Sequence, residues 1–151
     1  EKARSFHRES LEPLAMLAEV ARAQSDVDAE IKALVDAIDI DAMSFDPAAR
    51  LVGLAWATDN KAVFQKALQR CVAIAPTHPV SLAALAHELR KQKNVDKGRL
   101  SELLTAAQKF GPGGPPETMA IVALALREHG DAAGAKLHGD GALSNPRLHP
   151  A

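Results

Sequence analysis

A short sequence motif recurs along the chain at a nearly constant interval. It marks the end of one predicted amphipathic helix and the start of the next. Pro76, Pro112 and Pro146 each follow a predicted helix, at spacings of 36 and 34 residues. Two of these prolines are preceded by a small residue five positions back and an apolar residue two positions back: Cys71 and Ile74, then Ala107 and Phe110. A self-similar period of about 34 residues is typical of stacked helix–turn–helix units. We therefore expect a helical repeat array.

The apolar content of the chain favours helices. Hydrophobic residues make up 47% of the 151 residues, but aromatic residues only 3%, and Tyr is absent. The hydrophobic residues are therefore mostly aliphatic, and Ala and Leu rank highest in helix propensity. Small Ala side chains also let helices approach closely. We expect an all-α protein.

Breaks in the apolar periodicity divide the chain into about eight helices, two to each of four repeats. The repeats lie near residues 11–44, 45–78, 79–115 and 116–149. Residues 1–10 form an N-terminal extension or the end of a preceding helix, and Ser10 is expected to cap the first helix of the array. The expected caps of later helices are Ser25 or Asp26, Asp46 followed by Pro47 at the first helical position, and Asp96.

The last predicted helix carries Gly134, Gly139 and Gly141. Three glycines cost about 2–3 kcal/mol relative to Ala, so this helix should be short or frayed.

Between residues 11 and 148 the chain resembles the tetratricopeptide repeat (TPR) family. The resemblance rests on a pattern of large apolar and small residues in the first helix of each repeat: Leu14, Leu17, Ala18 and Ala21; Ala48, Leu51, Val52 and Ala55; Leu82, Leu85, Ala86 and Leu89; Met119, Val122, Ala123 and Leu126. Gly130-Asp131 matches the turn of the family. Glu30 and Phe64 depart from it, because they occupy positions where a small residue is usual. The resemblance implies a right-handed superhelix whose first helices line a concave face.

On that face the resemblance places peptide or partner segments. Near the ends of the first helices stand Arg22, Trp56, Arg90 and Arg127, and beside them His87 and Lys91. Arg binds carboxylates through two parallel hydrogen bonds, and Trp is a frequent anchor of interfaces. These six residues therefore predict a partner-binding groove for a peptide that is acidic or ends in a free carboxylate. The alternative is that Arg near a helix end only complements the helix dipole.

No catalytic, metal or cofactor site is expected. The six histidines show no i, i+4 pairing and no Cys partner, so a zinc site is not predicted. Cys71 is alone and is predicted to be buried between paired helices as a packing residue. The net charge of −1 does not favour nucleic acid. No apolar run approaches the ~20 residues that span a bilayer, so membrane insertion is not expected.

The sequence thus predicts a non-catalytic protein–protein interaction scaffold whose partner it does not identify. Two alternatives stay open: the TPR portion of a larger bacterial enzyme of the glycosyltransferase, sulfotransferase or hydroxylase type, and a module that assembles with copies of itself. Because the chain begins with Glu1 and not Met, we expect it to be a piece of a longer protein. The compartment is left open, with a soluble cytoplasmic protein favoured.

The formal charge is distributed unevenly along the chain. Residues 1–44 hold ten acids and five bases, a net charge of −5, whereas residues 79–114 hold three acids and six bases, a net charge of +3. An acidic N-terminal end and a basic middle can steer a partner, or can simply form a solvated surface.

Overall fold

The computed structural model describes residues 2–109 and 114–143, and the side chains of residues 11–109 and 114–141. The described part is helical and contains no strand, which confirms the predicted all-α architecture of about eight helices. The helices are α1 Lys2–Ala23, α2 Val27–Ile40, α3 Phe45–Ala57, α4 Lys61–Ile74, α5 Pro79–Arg90, α6 Lys97–Gln108, α7 Pro116–His129 and α8 Ala132–Leu143.

Helix α1 is longer than predicted. The sequence placed a cap at Ser10, but one helix runs through it and contains Pro13. Proline removes one intrahelical hydrogen bond. Pro13 is exposed. The predicted inner face is also wrong at one position: Ala18 and Ala21 are buried, but Leu17 is 58% exposed.

The starts of the later helices largely follow the predicted caps. Asp26 and Asp96 accept hydrogen bonds from the backbone N–H of Ala29 and Arg99, at 3.1 and 2.9 Å. The prediction for α3 is wrong, because this helix begins at Phe45, one residue before the expected cap Asp46. Pro47 is tolerated in the first turn of α3 because the first four N–H groups of a helix have no intrahelical partner.

Three of the turns within helix pairs share one geometry, although only one of them contains Gly. One residue, one or two positions after the end of the first helix, adopts a positive φ: 57° at Ser25, 53° at Asp59 and 89° at Gly130. Each of these residues donates its N–H three residues back, and the next residue donates five residues back. This is the Schellman pattern. The turn between α5 and α6 is longer and runs over residues 91–96.

Adding a side chain at Gly130 and removing the side chain of Ser25 should change stability in opposite directions. Gly130→Ala is expected to lower the free energy of unfolding by about 1 kcal/mol, because a Cβ disfavours the left-handed region. An added Cβ would meet no atom within 4 Å, so the loss comes from the backbone alone. Ser25→Gly should raise the free energy of unfolding by up to about 1 kcal/mol. Urea unfolding measures both; a stabilising Gly130→Ala would contradict the expectation.

The helices form two compact units, divided between Ile74 and Ala75. In unit 1, up to Ile74, α2 packs against both α1 and α3, and α3 packs against α4. In unit 2, from Ala75, α5 packs against both α6 and α7, and α7 also packs against α6 and α8. Within each unit, helices adjacent in sequence therefore pair, as a repeat array requires. The repeat boundaries near residues 44, 78 and 115 stay predictions.

The core of unit 1 lies between α2, α3 and α4. Its side chains of lowest exposure are aliphatic or small, apart from one aromatic ring: Ile38, Ala48, Leu51, Val52, Ala55, Phe64, Ala67 and Cys71. Burial raises the pKa of the Cys71 thiol to about 12. The thiol is therefore neutral at physiological pH, which confirms Cys71 as a buried packing residue.

The core of unit 2 departs from the predicted face of α5. Val80, Ala83 and Ala84 are at most 1% exposed, whereas the predicted stripe residues Leu82, Leu85 and Leu89 are only half-buried. The reason is that α5 packs against two helices, and small residues let both approach closely. The predictions for α6 and α7 are confirmed at Leu100, Leu103, Leu104, Ala107, Met119, Val122 and Leu126, all buried. Phe110 lies outside the described residues.

Candidate functional site

In unit 2 the packing of α5 against α7 brings together charged side chains that are far apart in sequence. Nδ1 of His87, on α5, lies 2.7 Å from Oε2 of Glu128, on α7. Nη1 of Arg90 lies 3.9 Å from the same oxygen. With Lys91 and Arg127 next to them in sequence, these residues make up what we call the α5–α7 cluster: His87, Arg90, Lys91, Arg127 and Glu128. It contains four of the six predicted partner-binding residues.

The members of the cluster differ in how firmly they are held. His87 is well buried, with 15% of its side chain exposed, and donates a short hydrogen bond to Glu128 if Nδ1 carries the proton. Lys91 reaches Glu88 on its own helix, Nζ to Oε1 at 2.9 Å. The contact of Arg90 with Glu128 is too long for a hydrogen bond. The Arg90 side chain is 47% exposed.

The charge of this surface favours anions. Arg90, Lys91 and Arg127 contribute three formal positive charges, and Glu88 and Glu128 beside them contribute two negative charges, which leaves a surplus of one positive charge. Arg127 is exposed in the last turn of α7. Two arginines with exposed guanidinium groups at the ends of adjacent helices can bind a carboxylate. Both positions also complement the helix dipoles.

The two remaining predicted partner-binding residues lie in unit 1. Arg22 is half-buried in the last turn of α1, 4.0 Å from Glu19. The ring of Trp56 is half-buried and meets Phe64 edge to face, with centroids 5.8 Å apart. Trp56 therefore packs against its own helix pair. Within the described residues, α1 and α3 are not among the closely packed helix pairs, so the packing that joins Arg90 to the end of α7 has no counterpart between Arg22 and Trp56.

A buried ion pair in unit 1 was not foreseen. Glu30, on α2, is 4% exposed, and its Oε1 accepts a hydrogen bond at 2.8 Å from Nε of Arg50, on α3. The only signal in the sequence is that Glu30 occupies a position where a TPR has a small residue. The sequence gives no indication for Arg50, because only the packing of α2 on α3 identifies it as the partner of Glu30.

The described residues provide no group of three or more His, Cys, Asp or Glu that could hold a metal ion. His138 is buried, and its Nδ1 lies 3.0 Å from the carbonyl oxygen of Gly134. This is an internal contact of α8. Nor is any described helix long and apolar enough to cross a bilayer.

Comparison with known proteins supports the fold of this chain but does not identify its function. No family model matches the chain, and no curated protein matches it. Among solved structures, two crystal structures of MamA, a TPR-like protein, are similar, with TM-scores of 0.53 and 0.54 and 18% sequence identity. Each covers 91% of this chain, which spans 79% and 73% of the MamA chains. The chain thus has a TPR-like helical-repeat fold; the right-handed sense of the superhelix stays a prediction.

Proposed function

We propose that this chain is a non-catalytic protein-interaction module that binds an acidic peptide, or a peptide with a free C-terminal carboxylate, at the α5–α7 cluster. Arg90 and Arg127 bind the carboxylate, and Lys91 adds a further cation. Arg22 and Trp56, in unit 1, are not part of this site, and their role in partner binding stays a prediction. One observation carries the proposal: α5 packs on α7 and sets two exposed arginines on adjacent helix ends with a surplus of positive charge.

Glu128 has a distinct part in this proposal. It is held by His87 through the 2.7 Å contact, whereas Arg90 stays 3.9 Å away from it. The N–H donors of Arg90 are not saturated by Glu128, so an incoming carboxylate can accept from them. Hydrogen bonds to charged groups contribute about 1.5–3 kcal/mol each. Glu128 also limits the local positive charge, which disfavours polyanions relative to peptides with one or two carboxylates.

Reversing both arginine charges tests the proposal. Arg90→Glu/Arg127→Glu is expected to weaken binding to an array of immobilised peptides with acidic sequences and free C-termini by at least tenfold, since two charged contacts become repulsive. Arg99→Glu/Lys109→Glu is the matched control, because it reverses two exposed cations of the same unit outside the cluster. Circular dichroism should show unchanged helicity in both variants.

The two interpretations of the arginines give different results. If Arg90 and Arg127 only complement helix dipoles, the double variant loses stability and keeps its peptide binding. A folded double variant that binds the array like the parent protein would overturn the proposal, as would equal losses in the double variant and the control. Peptides retained by the parent can then be used to capture and identify the partner by mass spectrometry.

A further inference from the structure

The carboxylate of Glu128, on α7, lies near two donors of α5. Nδ1 of His87 is 2.7 Å from Oε2 of Glu128, and Nη1 of Arg90 is 3.9 Å from the same oxygen. His87 and Arg90 are three residues apart, so they stand on the same side of α5, where this helix packs on α7. The two side chains therefore compete for one carboxylate, and the outcome decides what Arg90 can bind.

The imidazole of His87 holds this carboxylate. An ionised carboxylate only accepts hydrogen bonds, so the ring donates through Nδ1. The side chain of His87 is 15% exposed and that of Glu128 is 29% exposed. A hydrogen bond shielded from water is electrostatically stronger than an exposed one. The position of Oε2 is thus set by the more buried of the two donors.

This arrangement leaves the guanidinium of Arg90 open. Its side chain is 47% exposed, and its 3.9 Å approach to Oε2 exceeds the range of about 2.7–3.2 Å for N–H···O hydrogen bonds. Lys91, the next cation along α5, already contacts Oε1 of Glu88 through Nζ at 2.9 Å. Arg90 is consequently well placed to take up the carboxylate of Glu128 when His87 does not hold it.

We infer that His87 is a positioning residue of the proposed peptide site: by holding Glu128, it keeps the guanidinium of Arg90 open to the carboxylate of a ligand. The inference rests on the proposed function. His87 then acts through Glu128 and does not touch the peptide, unlike the direct contact that the sequence predicted. Without the imidazole, Glu128 moves to Arg90 and forms an internal ion pair that a peptide has to displace.

Three variants separate the hydrogen bond of His87 from its packing. His87→Leu keeps a bulky side chain without a donor, so Glu128 should move to Arg90. His87→Asn is the matched control, since its amide N–H₂ lies close to the place of Nδ1 and can still donate to Glu128. His and Asn are also similar in helix propensity. His87→Leu/Glu128→Gln removes the charge that captures Arg90 and should leave the guanidinium open again.

Chemical modification of arginine measures the state of Arg90 without any peptide. Phenylglyoxal reacts with an open guanidinium, and a carboxylate bound to that group slows the reaction. Labelling of Arg90 should be about fivefold slower in His87→Leu than in the parent, the upper strength of an exposed ion pair, because Glu128 is partly buried. The other two variants should react at close to the parental rate. Peptide mapping by mass spectrometry assigns the label to each arginine.

Arg127 is the internal reference for the labelling. It is exposed, and it does not pair with Glu128, since adjacent residues of a helix do not face each other. Circular dichroism should show the same helicity in all four proteins. If His87→Leu does not fold, His87→Ala, which also lacks a donor, gives the same comparison.

Binding to the array of acidic and free-C-terminal peptides should follow the labelling. We expect about fivefold weaker binding for His87→Leu, parental binding for His87→Asn, and at least parental binding for the double variant, which has lost a negative charge.

Unchanged labelling of Arg90 in His87→Leu would overturn the inference, as would equal losses in His87→Leu and His87→Asn. A loss that Glu128→Gln does not reverse means that His87 contributes packing alone, and overturns it too. A parent protein that binds no peptide of the array refutes the proposed function, whereas the labelling still decides the role of His87.

Discussion

Replacement of Arg50 by Met is expected to lower the free energy of unfolding by about 3 kcal/mol. The change leaves the carboxylate of Glu30 buried, with 4% of the residue exposed and without its 2.8 Å hydrogen bond from Arg50. Removing one partner of a buried ion pair costs about 3–5 kcal/mol. We expect the lower end of this range, because 28% of the Arg50 side chain is exposed and water can reach the site from that edge.

Two further variants show whether burial is the cause. Glu30→Leu/Arg50→Met removes both charges and should recover most of the lost stability, because an apolar pair of similar volume replaces a buried ion pair at little cost. Lys66→Met breaks the pair with Asp39, which is as short at 2.7 Å but exposed, and should cost less than about 1 kcal/mol. Urea unfolding measures all three variants. Equal losses in Arg50→Met and Lys66→Met would contradict the burial argument.

Phe64→Ala is expected to destabilise the protein by about 3–5 kcal/mol. Phe64 is 3% exposed, so the change removes a buried ring and leaves a cavity between α3 and α4. It also removes the edge-to-face contact with Trp56 at 5.8 Å, and such contacts contribute about 0.5–1.5 kcal/mol beyond burial. In this chain the ring of Phe64 occupies a position where TPR repeats usually have a small residue, and the ring of Trp56 packs against it.

The fluorescence of Trp56 reports this change directly, since it is the sole Trp of the chain. The native emission of Phe64→Ala should move to longer wavelength as water gains access to the indole. Phe45→Ala is the matched control for stability: it removes the same ring from unit 1 at a half-buried position, and should therefore cost less. A Phe64→Ala protein as stable as Phe45→Ala would contradict the packing described here.

Local features of the fold were predictable because they depend on residues close together in sequence. A cap joins a side chain to an N–H three residues on, as Asp26 and Asp96 do. Pro76 prevents α4 from continuing, because a proline in a helix interior removes a hydrogen bond and clashes with the preceding turn. The buried stripe of α4, which includes Ala67 and Cys71, follows from the 3.6-residue period alone.

Predictions failed where the outcome depends on which sides of a helix have neighbours. Leu17 fits the apolar period of α1 and yet is exposed, because the period does not say which side of a helix has a neighbour. In α5 the buried positions are Ala83 and Ala84 and not the predicted leucines, because two helices pack on it. The start of α3 at Phe45 was missed because Pro47 is compatible with more than one position in a first turn.

The sequence by itself determined the helical-repeat architecture, the order of the eight helices and the buried role of Cys71, all of which follow from periodicity and from breaker and capping residues. Only the tertiary structure decided which charges meet. His87 and Glu128 are 41 residues apart and Glu30 and Arg50 are 20 apart. Their pairing depends on the packing of α5 on α7 and of α2 on α3. No local pattern encodes the rotation of one helix against another, and this rotation decides whether a charge is paired, buried or open to a ligand.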